Sequence, residues 1–146
     1  MPRFFTLEQA EKLLPEVEAA MREAIAARAD YQRAEADRES FVRRVTMQGG
    51  MSVDRERVIQ EKSRLESSVR QLKAAVEKIQ EAGCLIKDLD MGLVDFPTLL
   101  KGEEVYLCWK LGESGIRFWH GVNEGFRGRK PIDQEFLDQH QGELPN

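Results

Sequence analysis

From Leu7 to Ile79 the apolar residues return at spacings of three and four; the pattern is broken once, at MQGGMS, and after Gly83 the period becomes two. One break inside a helical repeat predicts two helices folded back on each other, and the change of period predicts a sheet after them. On the first helix the stripe is Leu7, Ala10, Leu14, Val17, Met21 and Ala24, preceded by Thr6 and Gln9 in a T-x-x-Q capping pattern. Continued, the same count meets Arg28, Tyr31, Glu35, Arg38, Val42 and Val45, so the seam turns polar in its distal half. Pro15 removes one backbone donor and crowds the preceding turn, which predicts a kink or a restart of the helix there.

Gly49 and Gly50 supply the turn, and Ser52 is placed to cap the second helix. That helix carries Val58, Lys62, Leu65, Val69, Leu72, Val76 and Ile79 on its own seam and ends at Gly83, a favourable residue just past a helix C-terminus. Folding the two antiparallel about the glycines sets Arg38 near Glu61, Glu35 near Lys62 and Arg64, and Met21 near Ile79. The first helix, counted from Thr6 to Met47, spans about 60 Å at about 1.5 Å per residue, farther than a sheet of short strands can cover. A two-helix hairpin also leaves half of each apolar stripe wet. Both points predict a homo-oligomer, a dimer, formed through the hairpin; the alternative is a monomeric charged arm braced by ion pairs.

Beyond Gly83, the segments CLIKDL, GLVDF, EVYLCWKL and IRFWH are short and rich in β-branched and aromatic residues. Asp90, Pro97, Lys101-Gly102 and Gly112-Glu113-Ser114-Gly115 separate them as turn residues. They predict a three- or four-stranded antiparallel meander, followed by a short helix in PIDQEFLDQH. The expected fold class is α+β: a long antiparallel two-helix hairpin of coiled-coil type over 1–83, and over 84–146 a small antiparallel sheet with a short C-terminal helix, packed on the base of the hairpin as one unit.

A net charge of -4 disfavours nucleic acid as a partner, although Arg117, Trp119, Phe126, Arg127 and Arg129 could together make an aromatic and basic surface for single strands. Only Cys84 and Cys108 occur, in no metal-ligand spacing, so a reducing, cytoplasmic setting is expected. Glu8 interrupts the N-terminus before a signal-like apolar run forms, and no run of about 18 apolar residues exists, so no membrane association is expected.

GLVDFP, EVYLCWKLGE and FWHGVNEGFRGRKP, with the opening FTLEQAEKLLPEVE, resemble the bacterial family known as domain of unknown function 2203. The resemblance covers effectively the whole chain and implies a small bacterial cytoplasmic protein, with no activity or cofactor to carry over. The matching residues include Asp95, Tyr106, Cys108, Trp109, Glu113, Trp119, His120, Phe126, Gly128, Arg129 and Pro131.

Two chemical candidates follow from the residues themselves. Cys108, His120 and Asp95 offer thiolate, imidazole and carboxylate, ligand types suited to zinc, and Glu113 could pair with His120 for acid–base work. Whether Cys108 and His120 meet depends on register. A two-residue loop at Glu113-Ser114 sets Leu111 opposite Ile116, Trp109 opposite Phe118 and Leu107 opposite His120, which gives one wholly apolar face and separates Cys108 from His120. A three-residue loop ending at Gly115 sets Cys108 opposite His120. Burial of a whole strand face, at about 1.5 to 3 kcal/mol for each large side chain, favours the first. That register also opposes Lys110 to Arg117, a like-charge pair for Asp95, Asp88 or a bound anion to neutralise.

The second candidate is the loop from Asn123 to Pro131, where glycines present Arg127, Arg129 and Lys130 to a possible small anion. No phosphate-loop or dinucleotide spacing is present, and Arg129 paired to a carboxylate explains the loop equally well. The favoured function is a non-catalytic assembly module that self-associates through its hairpin. The alternative is a small-molecule or metal site, possibly hydrolytic, with His120 as base or ligand, Glu113 as carboxylate partner and Arg129 as anion clamp.

Overall fold

Thr6 and Gln9 begin the first helix as a reciprocal pair: the Gln9 amide donates to Thr6 Oγ1 at 3.1 Å and Thr6 N–H donates to Gln9 Oε1 at 2.9 Å. The computed structural model describes residues 3–49 and 55–142, so the expected turn residue Gly50 and cap Ser52 lie outside the described residues. Helix α1 runs Leu7–Met47 and helix α2 Arg55–Glu81. The helix does not restart at Pro15, which lies inside α1 on its exposed side, between buried Leu14 and Val17. There the carbonyl left without a donor can bond to water. Gly83, at φ +97°, ends α2: Cys84 N–H donates to Ile79 O and Gly83 N–H to Gln80 O, the double bond that closes a helix on a left-handed residue.

The chain divides into two compact units, one formed by residues up to Met21 and from Val76 onward, the other Arg22–Ala75. In the second unit the inward positions of α1 are Ala24, Ala27 and Ala34, each at most 2% exposed, with Tyr31 and Phe41 half-buried. Facing them on α2 are Leu65, Ser68, Leu72 and Ala75. The expected seam through Arg28, Glu35 and Val42 is therefore displaced by one position, and that through Val58, Lys62 and Val69 likewise. A helix of 3.6 residues per turn drifts by about 20° per heptad against a 3.5-residue repeat, and small alanines accept the contact as the seam walks round. A cross-helix ion pair joins Arg64 to Asp37 at 2.8 Å, and Arg57 is stacked on the Phe41 ring.

In the first unit an antiparallel sheet is built from β1 (Leu85–Asp88), β2 (Leu93–Leu100), β3 (Glu103–Lys110) and β4 (Phe118–Gly121) in that order. Two-residue strands extend it: β5 (Lys130–Pro131) beside β4, and β6 (His140–Gln141) beside β2. Helix α3 (Gln134–Gln139) is capped by the Asp133 carboxylate, which accepts from Phe136 N–H at 2.8 Å, and buries Phe136. The architecture is α+β. Pro97, expected in a turn, lies inside β2 opposite Tyr106. It stands on the stretch of β2's outer edge between the pairings with β1 and β6, where no donor is required of it, and its carbonyl accepts from Phe5 N–H at 2.7 Å.

One face of the sheet, with Val94, Phe96, Leu107 and Trp109, belongs to the core together with Phe5, Val17, Met21 and Ile79. Phe5 meets Phe96 edge to face at 5.7 Å between ring centres. The other face carries Asp95, Tyr106, Cys108, Phe118 and His120, and the candidate site is there.

Candidate functional site

Neither expected register between β3 and β4 is adopted. Leu107 pairs with Trp119, Cys108 with Phe118 and Tyr106 with His120. The connection is no tight hairpin, because Glu113 folds the chain back on the end of β3: its N–H donates to Lys110 O, and its carboxylate accepts from Lys110 N–H at 2.7 Å. The Trp109 indole donates to Glu113 O at 3.1 Å. Ile116 is still buried, at 2% exposure, but it reaches the core from this loop and not as a strand partner of Leu111. The separation of Cys108 from His120 is thereby overturned, since both now point to one face. Nor do Lys110 and Arg117 oppose each other: Lys110 pairs with Leu93, and the exposed Arg117 donates to Ser114 Oγ.

Asp95 and Cys108 are directly opposite across β2 and β3. Pro97, of the same parity as Asp95, turns its carbonyl away from β3 to Phe5, so Asp95 and Cys108 form a pair without mutual backbone bonds, the type in which side chains approach most closely. His120 reaches the same place from β4. Asp95, Cys108 and His120 are 1%, 1% and 3% exposed. His120 Nε2 stands 3.1 Å from Asp95 Oδ1 and 3.0 Å from Oδ2, with the aligned hydrogen bond to Oδ1; Oδ2 is buried with no hydrogen-bond partner.

The His120 tautomer follows from its other nitrogen. Nδ1 lies 2.8 Å from Gly121 O, an acceptor only, so Nδ1 carries a proton and donates it. Nε2 therefore faces the Asp95 carboxyl with one proton between them. Burial pushes the Asp95 carboxyl above its usual range, while His120, by charge and hydrogen bond, Lys87 and the Cys108 thiol pull it back in part. Burial likewise pushes the Cys108 thiol up to about 12, helped by Asp95 and opposed by the charge of the Arg129 guanidinium. The Tyr106 ring closes one side against His120 at 5.6 Å, and its hydroxyl turns away to Glu104.

Arg129 links this cluster to the Glu113 loop. Its Nη1 donates to Glu113 Oε1 at 3.0 Å and Oε2 at 3.2 Å, and its guanidinium lies over the Phe118 and Phe126 rings at 4.0 and 4.4 Å. Thus Asp95, His120, Cys108, Arg129 and Glu113 form one chain of contacts, with Glu113 joined to Arg129 and His120 to Asp95. Arg129 has its carboxylate already through Nη1, so an anion at that nitrogen would have to displace Glu113. Arg127 stands apart, exposed on the short 3-10 turn Phe126–Gly128. Lys130, the other basic residue of that loop, bonds Glu124 at 2.9 Å; with the Gly121 N–H this lowers the Glu124 carboxyl below its usual range.

Sequence reasoning grouped Asp95 with His120 and Cys108 only as metal candidates and gave His120 Glu113 as its carboxylate partner, a place that Asp95 takes; it missed His140. His140 Nε2 accepts from Leu7 N–H at 3.0 Å and Nδ1 donates to the carbonyls ending α3, so it ties the C-terminal helix to the start of α1. A signal was present in the sequence: His140 ends the four-residue spacing Ile132, Phe136, His140. No helix among the described residues is long and apolar enough to cross a membrane. Neither curated proteins nor solved structures gave a match to the chain. The family described as uncharacterized conserved protein (DUF2203) matches residues 3–132, which span both helices and the sheet as far as β5, and the chain belongs to that family.

Proposed function

We propose that this protein is a self-associating assembly module whose copies join through the open side of the distal hairpin. The observation that carries the reading is the stripe left outside when the seam moved by one position. Val58 and Val69, about three turns apart along one face of α2, and Val42 on α1 are 44%, 48% and 53% exposed. Val42 and Val58 border a groove of about 530 Å³ whose floor includes Phe41, Val45 and Leu65.

The rim favours a second copy over an unrelated partner. It carries Arg38 and Lys62 beside Glu61 and Glu66, both signs on one surface, so a twofold rotation can bring each sign against its opposite. Free, buried Cys84 and Cys108 accord with a reducing, cytoplasmic setting. Sedimentation velocity at micromolar concentration should give a dimer or larger species, and Val58→Lys with Val69→Lys should give a monomer of unchanged helicity. A wild-type species that stays at 16.8 kDa across the micromolar range would exclude the proposal.

A further inference from the structure

We propose that Asp95, Cys108 and His120 form a binding site for one divalent transition-metal ion of the zinc class. Their ligand atoms lie within 4.8 Å of one another, the one such His/Cys/Asp/Glu group among the described residues. The inference is independent of self-association, since every residue in it belongs to the sheet.

Two features of the geometry support it, and one of charge. Asp95 Oδ2 belongs to a side chain 1% exposed, has no hydrogen-bond partner, and stands 3.0 Å from Nε2. Two donors each about 2.0 Å from a tetrahedral ion are about 3.3 Å apart, so this pair needs little movement to share one. The Nδ1 proton of His120 is held by Gly121 O, the outer contact that orients a ligating imidazole and leaves Nε2 to the metal. The Arg129 guanidinium lowers the Cys108 thiol by its charge, which favours a bound thiolate, and Glu113 offsets that charge through Arg129 Nη1. Thiolate, imidazole and a single carboxylate select zinc, cobalt or ferrous iron over magnesium or calcium.

Charge balance accounts for the burial. Without metal the cluster is neutral: a thiol, and one proton held between a carboxylate and an imidazole. When an M²⁺ ion enters, the thiol proton and the shared proton leave to solvent. The sulfur, one carboxylate oxygen and Nε2 donate their lone pairs, no electron is transferred, and the cluster stays neutral. Three protein ligands leave a fourth position for water or an added donor.

The test is a Co²⁺ titration of the full chain after dialysis against EDTA, followed by absorption and thermal unfolding. One equivalent should bind with a thiolate-to-cobalt charge-transfer band and a raised Tm, and Zn²⁺ should abolish the band. Cys108→Ser should lose the band and bind more than about tenfold more weakly, with Asp95→Asn weakened as well. Unfolding without metal checks that each variant is folded, and Cys108→Ser, a one-atom change, decides the matter if Asp95→Asn is not. No binding by the wild type, binding without the band, or equal affinity in Cys108→Ser would overturn the proposal.

Discussion

Cys84 and Cys108 illustrate how burial can dominate the behaviour of a side chain. Both thiols are pushed up to about 12, in each case chiefly by burial. In the folded, metal-free protein neither should react with Ellman's reagent at pH 8 over minutes, and denaturant should release two equivalents. Rapid reaction of either thiol without denaturant would contradict the burial argument. Asp95 gives a pH prediction. Its carboxyl is raised on folding, so its contribution to stability is complete below the ordinary aspartate value of about 4 and is lost as pH rises through the folded value. In EDTA, denaturant midpoints should show wild type losing stability relative to Asp95→Asn as pH rises from about 4; the opposite slope would mean that ionised Asp95 is the favoured form. Arg129→Lys keeps the charge but not the fork or the ring stacking, so it should still cost about 2 kcal/mol in urea unfolding. A loss as small as that of an exposed ion pair would show that Glu113 and Arg129 do not hold the loop. The residue types at the site were readable from the chain, since Asp95, Cys108, Glu113, His120 and Arg129 all stand out. Their pairing was not, because it depends on a seven-residue connection whose fold is set by Glu113 bonding back to Lys110.

The helices were readable at the level of elements wherever a signal is local. The Thr6–Gln9 box and the Gly83 terminator are satisfied within a few residues of themselves, and both appear as expected. Gly83→Ala should lower stability by about 2 kcal/mol, because φ is +97° and an added Cβ would stand 2.7 Å from Arg3 Cβ. Thermal unfolding measures it, and a neutral result would mean that the helix end relaxes freely. The helix seam was misread by one position because drift accumulates over many turns, and no single spacing reveals it. Alanine also scores weakly as an apolar signal, though Ala27 and Ala34 are the residues that meet the other helix. Pro97 was misplaced for the opposite reason: its lack of an N–H disqualifies it only where a donor is needed, and that depends on which neighbours β2 has.

Over the whole molecule the two units should differ in how readily they open. Arg22–Ala75 buries mainly alanines and one serine completely, whereas the sheet unit encloses Trp109, Phe5, Phe96 and Leu107. Hydrogen exchange should therefore be faster along Arg22–Ala75 than in β2 and β3. If copies join through the hairpin, protection there should rise with protein concentration while the sheet stays unchanged. Uniform exchange rates, or concentration dependence centred on the sheet, would point to a different interface.

Pro97 carries a consequence of another kind. A sheet whose rim offers unpaired donors is a template on which further strands can grow, and such growth is the usual route by which crowded proteins precipitate. On β2 the stretch between two short partners is held by a buried residue with no donor to offer, and its carbonyl is already engaged by Phe5. Closed over by Phe5 and lacking a donor, this stretch gives no further strand a place to start. Pro97→Val, which adds a backbone donor at this buried position, should lower the Tm; an unchanged Tm would mean that the new donor finds an acceptor there.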